Sequence, residues 1–150
     1  MVCFSPPTVG LNPIFIIPNT IFYSKGFLFA THPFRYEILK YDFASGKLVS
    51  TFELRFLQWR EAEFLEGGIQ FYTGSGSTVV LDDGRILNII AECNVGLPCK
   101  NYIDLVDKDG KTITGPQPVN YDAISLDRNG KLYLTSKGLS WRVVMCKLTR

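Results

Sequence analysis

The amino-acid sequence predicts an all-β protein built from antiparallel strands, and three observations carry this prediction. Aromatic residues make up 13% of the chain, with 11 Phe and 7 Tyr, and such flat side chains pack well on a pleated sheet. Short apolar runs, several of them alternating with polar residues, are separated by turn residues, to which 13 Gly and 8 Pro contribute. No stripe of apolar residues repeats at the helical spacing of about 3.6 positions, so at most one short helix is expected.

Four turn motifs divide the chain into hairpins. Each motif holds an Asp, then a Gly followed by a Lys or Arg, between two apolar runs. An Asp at the end of a strand accepts backbone N–H groups across a tight turn, and Gly takes the positive φ that the turn requires. The solvated basic residue then begins the return strand. The motifs occupy residues 41–47, 81–85, 106–111 and 126–131.

The hairpins group into three successive units at about residues 18–53, 76–115 and 121–148, of which the third lacks its fourth strand. The runs at 78–81 and 86–87 are apolar throughout, so these strands are expected to be covered on both faces. Residues 54–75 form an insertion between the first two units. Within it, residues 57–66 contain good helix formers ahead of two glycines, and a short helix, an irregular loop and an extra strand all stay open.

The units resemble blades of a β-propeller, in particular the six-bladed type of NHL-repeat and gluconolactonase-like proteins. The resemblance rests on hairpins of the form Asp-x-x-Gly-Lys, as at 107–111 and 127–131, and it covers about residues 18–148. It implies a partial propeller of four-stranded antiparallel blades within one domain spanning residues 1–150. Three blades cannot close a ring. The resemblance therefore implies a partial or fragmentary propeller first, then a ring completed by two chains, or another stack of sheets.

Composition excludes several classes of partner. The chain has 16 basic and 14 acidic residues spread over both halves, so no nucleic-acid partner is expected. The N-terminus lacks the basic and apolar regions of a secretory signal. The apolar run 14–17 lies between Pro13 and Pro18 and is too short for a membrane helix. A soluble protein without a membrane partner is expected, and its compartment does not follow from the sequence.

The four cysteines allow two interpretations. Cys93 and Cys99 flank a turn-prone stretch and could form a disulfide in an oxidising compartment. The alternative, two small buried or loop thiols, is favoured because no export signal is seen. Cys3 and Cys146 are isolated in the sequence. A zinc site would need two close pairs of Cys or His, and His32 is the single histidine, so neither a metal nor another cofactor is predicted.

Candidate binding residues lie in two places outside the hairpins. His32, Phe34 and Arg35 belong to the loop that joins the two hairpins of the first unit. His32 could act as a general base or ligand, but an ordinary polar role in the loop is favoured because no Ser or Cys motif accompanies it. Trp59 and Arg60 lie in the insertion, where long irregular segments tend to carry function, and an aromatic beside an Arg makes a good contact anchor. No catalytic residue is predicted.

The leading functional hypothesis is a non-enzymatic binding or scaffolding module that contacts another protein, or itself through open sheet edges. The alternative, implied by the resemblance, is part of a metal-dependent lactonase- or esterase-like propeller enzyme. Such enzymes hold a divalent cation with Glu, Asn and Asp side chains. Residues of that type here fall in no motif that matches the family, so an enzyme is not favoured. They are Asn88, Glu92, Asn101 and Asp122. A third hypothesis is a structural fragment that is inert alone.

Overall fold

The computed structural model describes residues 20–32, 34–65, 68–70, 72–94, 97–137 and 141–146, and every regular element within these ranges is a β-strand. The prediction of an all-β fold with antiparallel four-stranded sheets is therefore confirmed. The first sheet contains β1 (Ile21–Ser24), β2 (Phe27–Thr31), β3 (Glu37–Asp42) and β4 (Leu48–Glu53), hydrogen-bonded in that order. No helix long and apolar enough to cross a membrane is found in the described ranges.

The connection after the first sheet contains a small hairpin of β5 (Glu63–Leu65) and β6 (Gly68–Gln70). Ahead of it the chain is irregular, with a single turn closed by the Trp59 N–H on the Phe56 carbonyl at 2.9 Å. Residues 57–65 thus contain no helix although their side chains favour one. Tertiary contacts override the local preference, because the aromatic rings of this segment pack on the first sheet and the backbone of Arg60 bonds to Thr73.

The second sheet contains β7 (Thr73–Val80), β8 (Ile86–Glu92), β9 (Lys100–Val106) and β10 (Thr112–Val119). It begins at Thr73 instead of residue 76, because a bulge between Ser75 and Ser77 absorbs Gly76 and lets the strand continue. The third sheet contains β11 (Ala123–Leu126), β12 (Leu132–Lys137) and β13 (Trp141–Cys146). In the described part of the chain it has three strands, as the sequence predicts.

The turn motifs form as predicted. Asp107 Oδ1 accepts the N–H groups of Asp109 and Lys111 at 2.9 and 2.8 Å, and Asp127 Oδ1 does the same for Asn129 and Lys131. Glycines 46, 84, 110 and 130 all have positive φ in these turns, which a residue with a Cβ adopts only at a cost. The Asp and Gly within each motif therefore account for the turn that the motif forms.

Strands β7 and β8 of the second sheet are covered on both faces. Val79, Leu87 and Ile89 pack against Ile124 and Leu134 of the third sheet. On the opposite face, a second cluster joins it to the first sheet: Phe29, Ile38, Phe52, Val80, Ile86 and Val106. Burial of each such side chain contributes about 1.5–3 kcal/mol, so the two clusters hold the three sheets together. The prediction that the apolar runs 78–81 and 86–87 are covered on both faces is confirmed.

The antiparallel order gives the molecule two different ends. Each sheet has its tight turns at one end, which we call the turn end, and some of these turns meet, as where the Lys25 ammonium donates to the Asp82 carbonyl. At the loop end lie the loops between β2 and β3 and between β8 and β9, together with the connections that follow β4 and β10. The loop end thus collects the irregular segments of the chain, which is where binding residues are usually found.

Candidate functional site

His32 holds the loop between β2 and β3 in shape. Its Nδ1 accepts the backbone N–H groups of Phe34 and Arg35, both at 3.1 Å, and the backbone N–H of His32 donates to the Glu37 carbonyl at 2.9 Å. His32 is 5% exposed. Burial lowers the pKa of His32, nearby Glu37 raises it and nearby Arg35 lowers it, with a net decrease. A nitrogen that accepts two N–H groups is not available as a general base, so the geometry favours the structural role.

Trp59 packs onto this loop from the irregular segment after β4. Its ring is stacked on Tyr36 with 5.1 Å between ring centroids and an interplanar angle of 15°. Its Nε1 donates to the Phe34 carbonyl at 3.4 Å. Phe56 lies edge-on to Tyr36 from the same segment and is buried. These contacts give the loop end an aromatic wall made from two segments that are distant in sequence.

The two segments enclose an open groove of about 500 Å³, which we call the Trp59 groove. Its apolar lining consists of Leu54, Phe56, Leu57, Trp59 and the ring of Tyr36. The side chain of Leu57 is fully exposed at 100%, so an apolar group stands in water beside the aromatic wall. Charged side chains form the rim of the groove: Arg35, Glu37, Glu53, Arg55 and Glu61.

A row of buried polar side chains lies behind the groove, on the face of the second sheet that packs on the first. Thr78, Asn88 and Asp104 are cross-strand neighbours on β7, β8 and β9. The Thr78 hydroxyl donates to Asn88 Oδ1 at 2.6 Å, and Asn88 Nδ2 lies 3.4 Å from the Tyr36 hydroxyl. The Tyr36 hydroxyl donates to Asp104 Oδ2. Tyr36 therefore connects the groove to the interior.

Asp104 is a carboxyl group in an unfavourable place. It is 2% exposed, and its Oδ1 has no hydrogen-bond partner in the described part of the chain. Burial raises the pKa of Asp104 to about 6, although the hydrogen bond from Tyr36 opposes this shift. Burial also raises the pKa of Tyr36, and the neighbouring carboxylate adds to the increase, so its hydroxyl stays a donor.

Arg60 does not join the Trp59 groove. Its guanidinium lies over the ring of Tyr72, 3.7 Å from the centroid, and 3.9 Å from the carboxylate of Glu63. Its backbone N–H donates to Thr73 Oγ1 at 2.9 Å, and its carbonyl accepts from the same hydroxyl at 2.5 Å. Arg60 thus fixes the chain to the start of β7, beside a separate recess of about 370 Å³ lined by residues 72–76, Ala91 and Cys93.

Cys93 and Cys99 form a disulfide. Cys93 directly follows β8 and Cys99 directly precedes β9, so the bond closes the loop between these strands at the loop end. The structure differs from the favoured interpretation of two thiols, because the loop brings the Cα atoms of the two cysteines to 4.2 Å from each other. Cys146 is a free, half-buried thiol, and Cys3 lies outside the described residues.

The residues of divalent-cation type are not gathered into one set. Asn101 Nδ2 donates to Asp122 Oδ1 at 2.8 Å, whereas Glu92 accepts from the Tyr102 hydroxyl at 2.9 Å. Asn88 belongs to the buried row described above. Within the described ranges there is no group of three or more His, Cys, Asp or Glu side chains arranged to hold a metal.

The structure brings four of the five predicted binding residues together, namely His32, Phe34, Arg35 and Trp59, and it places Arg60 elsewhere. Sequence reasoning missed the buried pair of Tyr36 and Asp104. A signal existed for Asp104, because a carboxylate stands inside the apolar run of β9. The chain matches no model of a known protein family, and it matches none of the curated proteins either.

Proposed function

We propose that this protein is a non-enzymatic binding module whose Trp59 groove holds a segment of another protein. The observation that carries the proposal is the fully exposed Leu57 beside the aromatic wall of Tyr36, Phe56 and Trp59. Exposed apolar groups surrounded by a charged rim are typical of protein contact surfaces, where a few aromatic anchors carry most of the binding energy.

The groove walls are rigid enough to act as a preformed surface. His32 fixes the loop that presents Tyr36, and the Trp59 indole is held both by stacking and by its bond to Phe34. A partner would thus lose little free energy in ordering these side chains. The loop end supplies the recognition groups, and the three packed sheets supply the scaffold.

The same proposal includes the propeller interpretation of the scaffold. Support comes from the order of the strands, since each sheet is a simple antiparallel meander. Further support comes from the contacts of β7 with β1 on one side and with β11 on the other, which bring the first strands of successive sheets together. Successive blades around an axis have this arrangement.

A peptide-display selection on the immobilised chain tests the binding function. Peptides that bind at the groove should lose about 30-fold in affinity on Trp59→Ala and about tenfold on Leu57→Ser. The matched control is Ile113→Ser, which also removes an exposed apolar side chain but lies on β10. Equal binding by wild type and both groove variants would refute the proposed function.

Self-association is a second candidate, and the exposed apolar side chains of β13 favour it. Val143 and Met145 are largely exposed, and β13 is an edge strand in the described part of the chain. A long apolar edge is a template for pairing with another strand. Light scattering is expected to show twice the chain mass of 16.9 kDa, reverting to a single mass in the double variant Val143→Lys, Met145→Lys. A monomer in the wild type would exclude this candidate.

A further inference from the structure

The rim of the Trp59 groove identifies the chemistry of its partner, and this inference rests on the function proposed above. We infer that the groove takes a peptide segment in which an apolar side chain stands next to a Lys or Arg. The apolar side chain would pack against Leu57 and Trp59. The basic group would lie at the carboxylate of Glu53.

The first observation is a pair of like charges in the register of the first sheet. Glu37 and Glu53 are direct cross-strand partners at the loop end of β3 and β4. Like charges directly opposite each other on one sheet destabilise the pairing. Arg35 lies 3.6 Å from Glu37 and neutralises that member of the pair. Among the described residues no basic side chain does the same for Glu53.

The second observation is the balance of charge on the rim. With Arg35 and Glu37 paired, the remaining rim charges are Glu53, Arg55 and Glu61, two negative and one positive. All three side chains are exposed. A bound cation is attracted by the net negative charge of these three side chains, whereas a bound carboxylate is repelled by it. The rim therefore discriminates in favour of a basic partner.

The third observation is that Glu53 and Leu57 line the same groove. Glu53 is the last residue of β4, and Leu57 follows four positions later in the irregular segment. A single short segment can contact both. Leu57 alone would accept any apolar side chain, and it is Glu53 that makes the surface selective.

Synthetic peptides enriched by the display selection test this inference. We expect them to carry Lys or Arg adjacent to Leu, Phe or Trp. Glu53→Gln should weaken their binding by about two- to fivefold, the effect of one exposed ion pair, and added salt should reduce the difference. The matched control is Asp83→Asn, which removes an exposed carboxylate in the turn between β7 and β8. It should leave the affinity unchanged.

The outcomes separate the inference from the proposed function. Peptides that need Trp59 but bind equally well to wild type and to Glu53→Gln would overturn the basic partner and leave the binding function standing. Enrichment of acidic peptides that need Arg55 would overturn it as well. Binding that is unchanged by substitution of Trp59 and Leu57 would overturn both the basic partner and the binding function. The selection of no enriched peptide would do the same. A thermal melt of Glu53→Gln checks folding, and its midpoint should be no lower than that of the wild type, because Glu53 forms no ion pair with another described residue.

Discussion

At the scale of single residues, Tyr36 carries two roles at once. Its ring is one wall of the Trp59 groove, and its hydroxyl donates to the buried carboxyl group of Asp104. A groove residue is thus anchored in the interior by a hydrogen bond instead of by apolar packing alone. This anchoring has an energetic cost, because an ionised carboxylate between two sheets has lost its water.

That cost predicts how Asp104 contributes to stability at different pH. Its pKa in the folded protein is raised to about 6 from an ordinary value of 3.8, so the folded state binds the proton more tightly than the unfolded state. Its stabilising contribution is full below pH 3.8 and is lost as the pH rises through about 6. We therefore compare the free energy of unfolding of the Asp104→Asn variant with that of the wild type. The difference, variant minus wild type, should be about 2 kcal/mol larger at pH 7.5 than at pH 4.5.

Urea unfolding of both proteins at the two pH values measures this difference. The contributions of the titrating groups that the two proteins share cancel in the comparison. An equal gap between variant and wild type at both pH values would mean that the Asp104 carboxyl group is not shifted. The fold itself should survive the substitution, since an amide oxygen still accepts from Tyr36.

His32 predicts a pH dependence of the opposite sign. Its pKa in the folded protein lies below the ordinary value of 6.5, because burial and the nearby Arg35 disfavour the charged form by more than Glu37 favours it. The unfolded state therefore binds the proton more readily, and the contribution of His32 is full above pH 6.5 and is lost as the pH falls through the lowered pKa. Protonation of Nδ1 would also remove the acceptor for both loop N–H groups.

The variant His32→Asn tests this, because its side-chain oxygen can accept the same N–H groups and does not titrate. Between pH 7.5 and pH 5.5, the wild type should lose more free energy of unfolding than the variant. Parallel losses in the two proteins would assign the acid sensitivity to other groups.

Residue-level prediction from the sequence succeeds where the signal is local. His32, Phe34 and Arg35 could be grouped because they share one loop, and the structure keeps them together. Arg60 and Trp59 are adjacent in sequence, but their side chains contact different partners, Tyr72 and Tyr36. The contact between Tyr36 and Asp104 spans 68 positions and depends on how two sheets pack, which no local pattern contains.

At the scale of elements, the hairpin turns are the best-predicted part of the molecule, and they also fix how the sheets meet. Gly110 has a φ of +87°, and a Cβ built there would lie 2.7 Å from the ring of Phe52 in the first sheet. The turn between β9 and β10 thus approaches β4 as closely as glycine allows. The same turn motif provides both the hairpin and a contact between neighbouring sheets.

The variant Gly110→Ala should therefore lower the free energy of unfolding for two reasons, the positive φ and the contact with Phe52. Gly26 provides the matched control, since its φ is +82° but nothing lies within 4 Å of a Cβ built there. Gly26→Ala should cost about 1 kcal/mol from backbone conformation alone. Gly110→Ala should cost about 2 kcal/mol more from overpacking against Phe52. Chemical denaturation measures both, and equal costs would show that the turn can move away from the first sheet.

The disulfide between Cys93 and Cys99 closes the loop between β8 and β9. Removing it in the double variant Cys93→Ser, Cys99→Ser should lower the free energy of unfolding by about 2 kcal/mol, the value expected for a short loop. Reduction of the wild type with a dithiol should lower its stability to that of the variant. A wild type whose stability does not respond to reduction would show that the thiols are not bonded in solution.

The segment from 54 to 72 is the element that the sequence could not determine. Residues 57–66 favour a helix locally. In the structure, however, Phe56 and Trp59 pack on Tyr36, and the backbone N–H of Arg60 donates to Thr73 at the start of β7. The outcome depends on surfaces that exist only after the first two sheets have formed. Physical reasoning from the sequence could leave the alternatives open but could not choose between them.

At the scale of the whole molecule, the stack of sheets separates structural from recognition chemistry. The carboxylates at the turn end accept backbone N–H groups of their own hairpin turns, as Asp107 and Asp127 do. The loop end carries the Trp59 groove, where exposed apolar and charged side chains have no such role. The order of strands could be predicted from the turn motifs, whereas the convergence of two loops into one groove required the sheets to be in place.

Mapping a bound peptide by backbone amide NMR shifts tests most directly whether recognition belongs to the loop end. With a peptide from the display selection, the largest shifts should fall on residues 34–37 and 53–61, together with the indole N–H of Trp59. The hairpin turns at 82–85 and 127–131 should stay unperturbed. Shifts concentrated on those turns, with the Trp59 indole unmoved, would contradict the assignment of the binding surface.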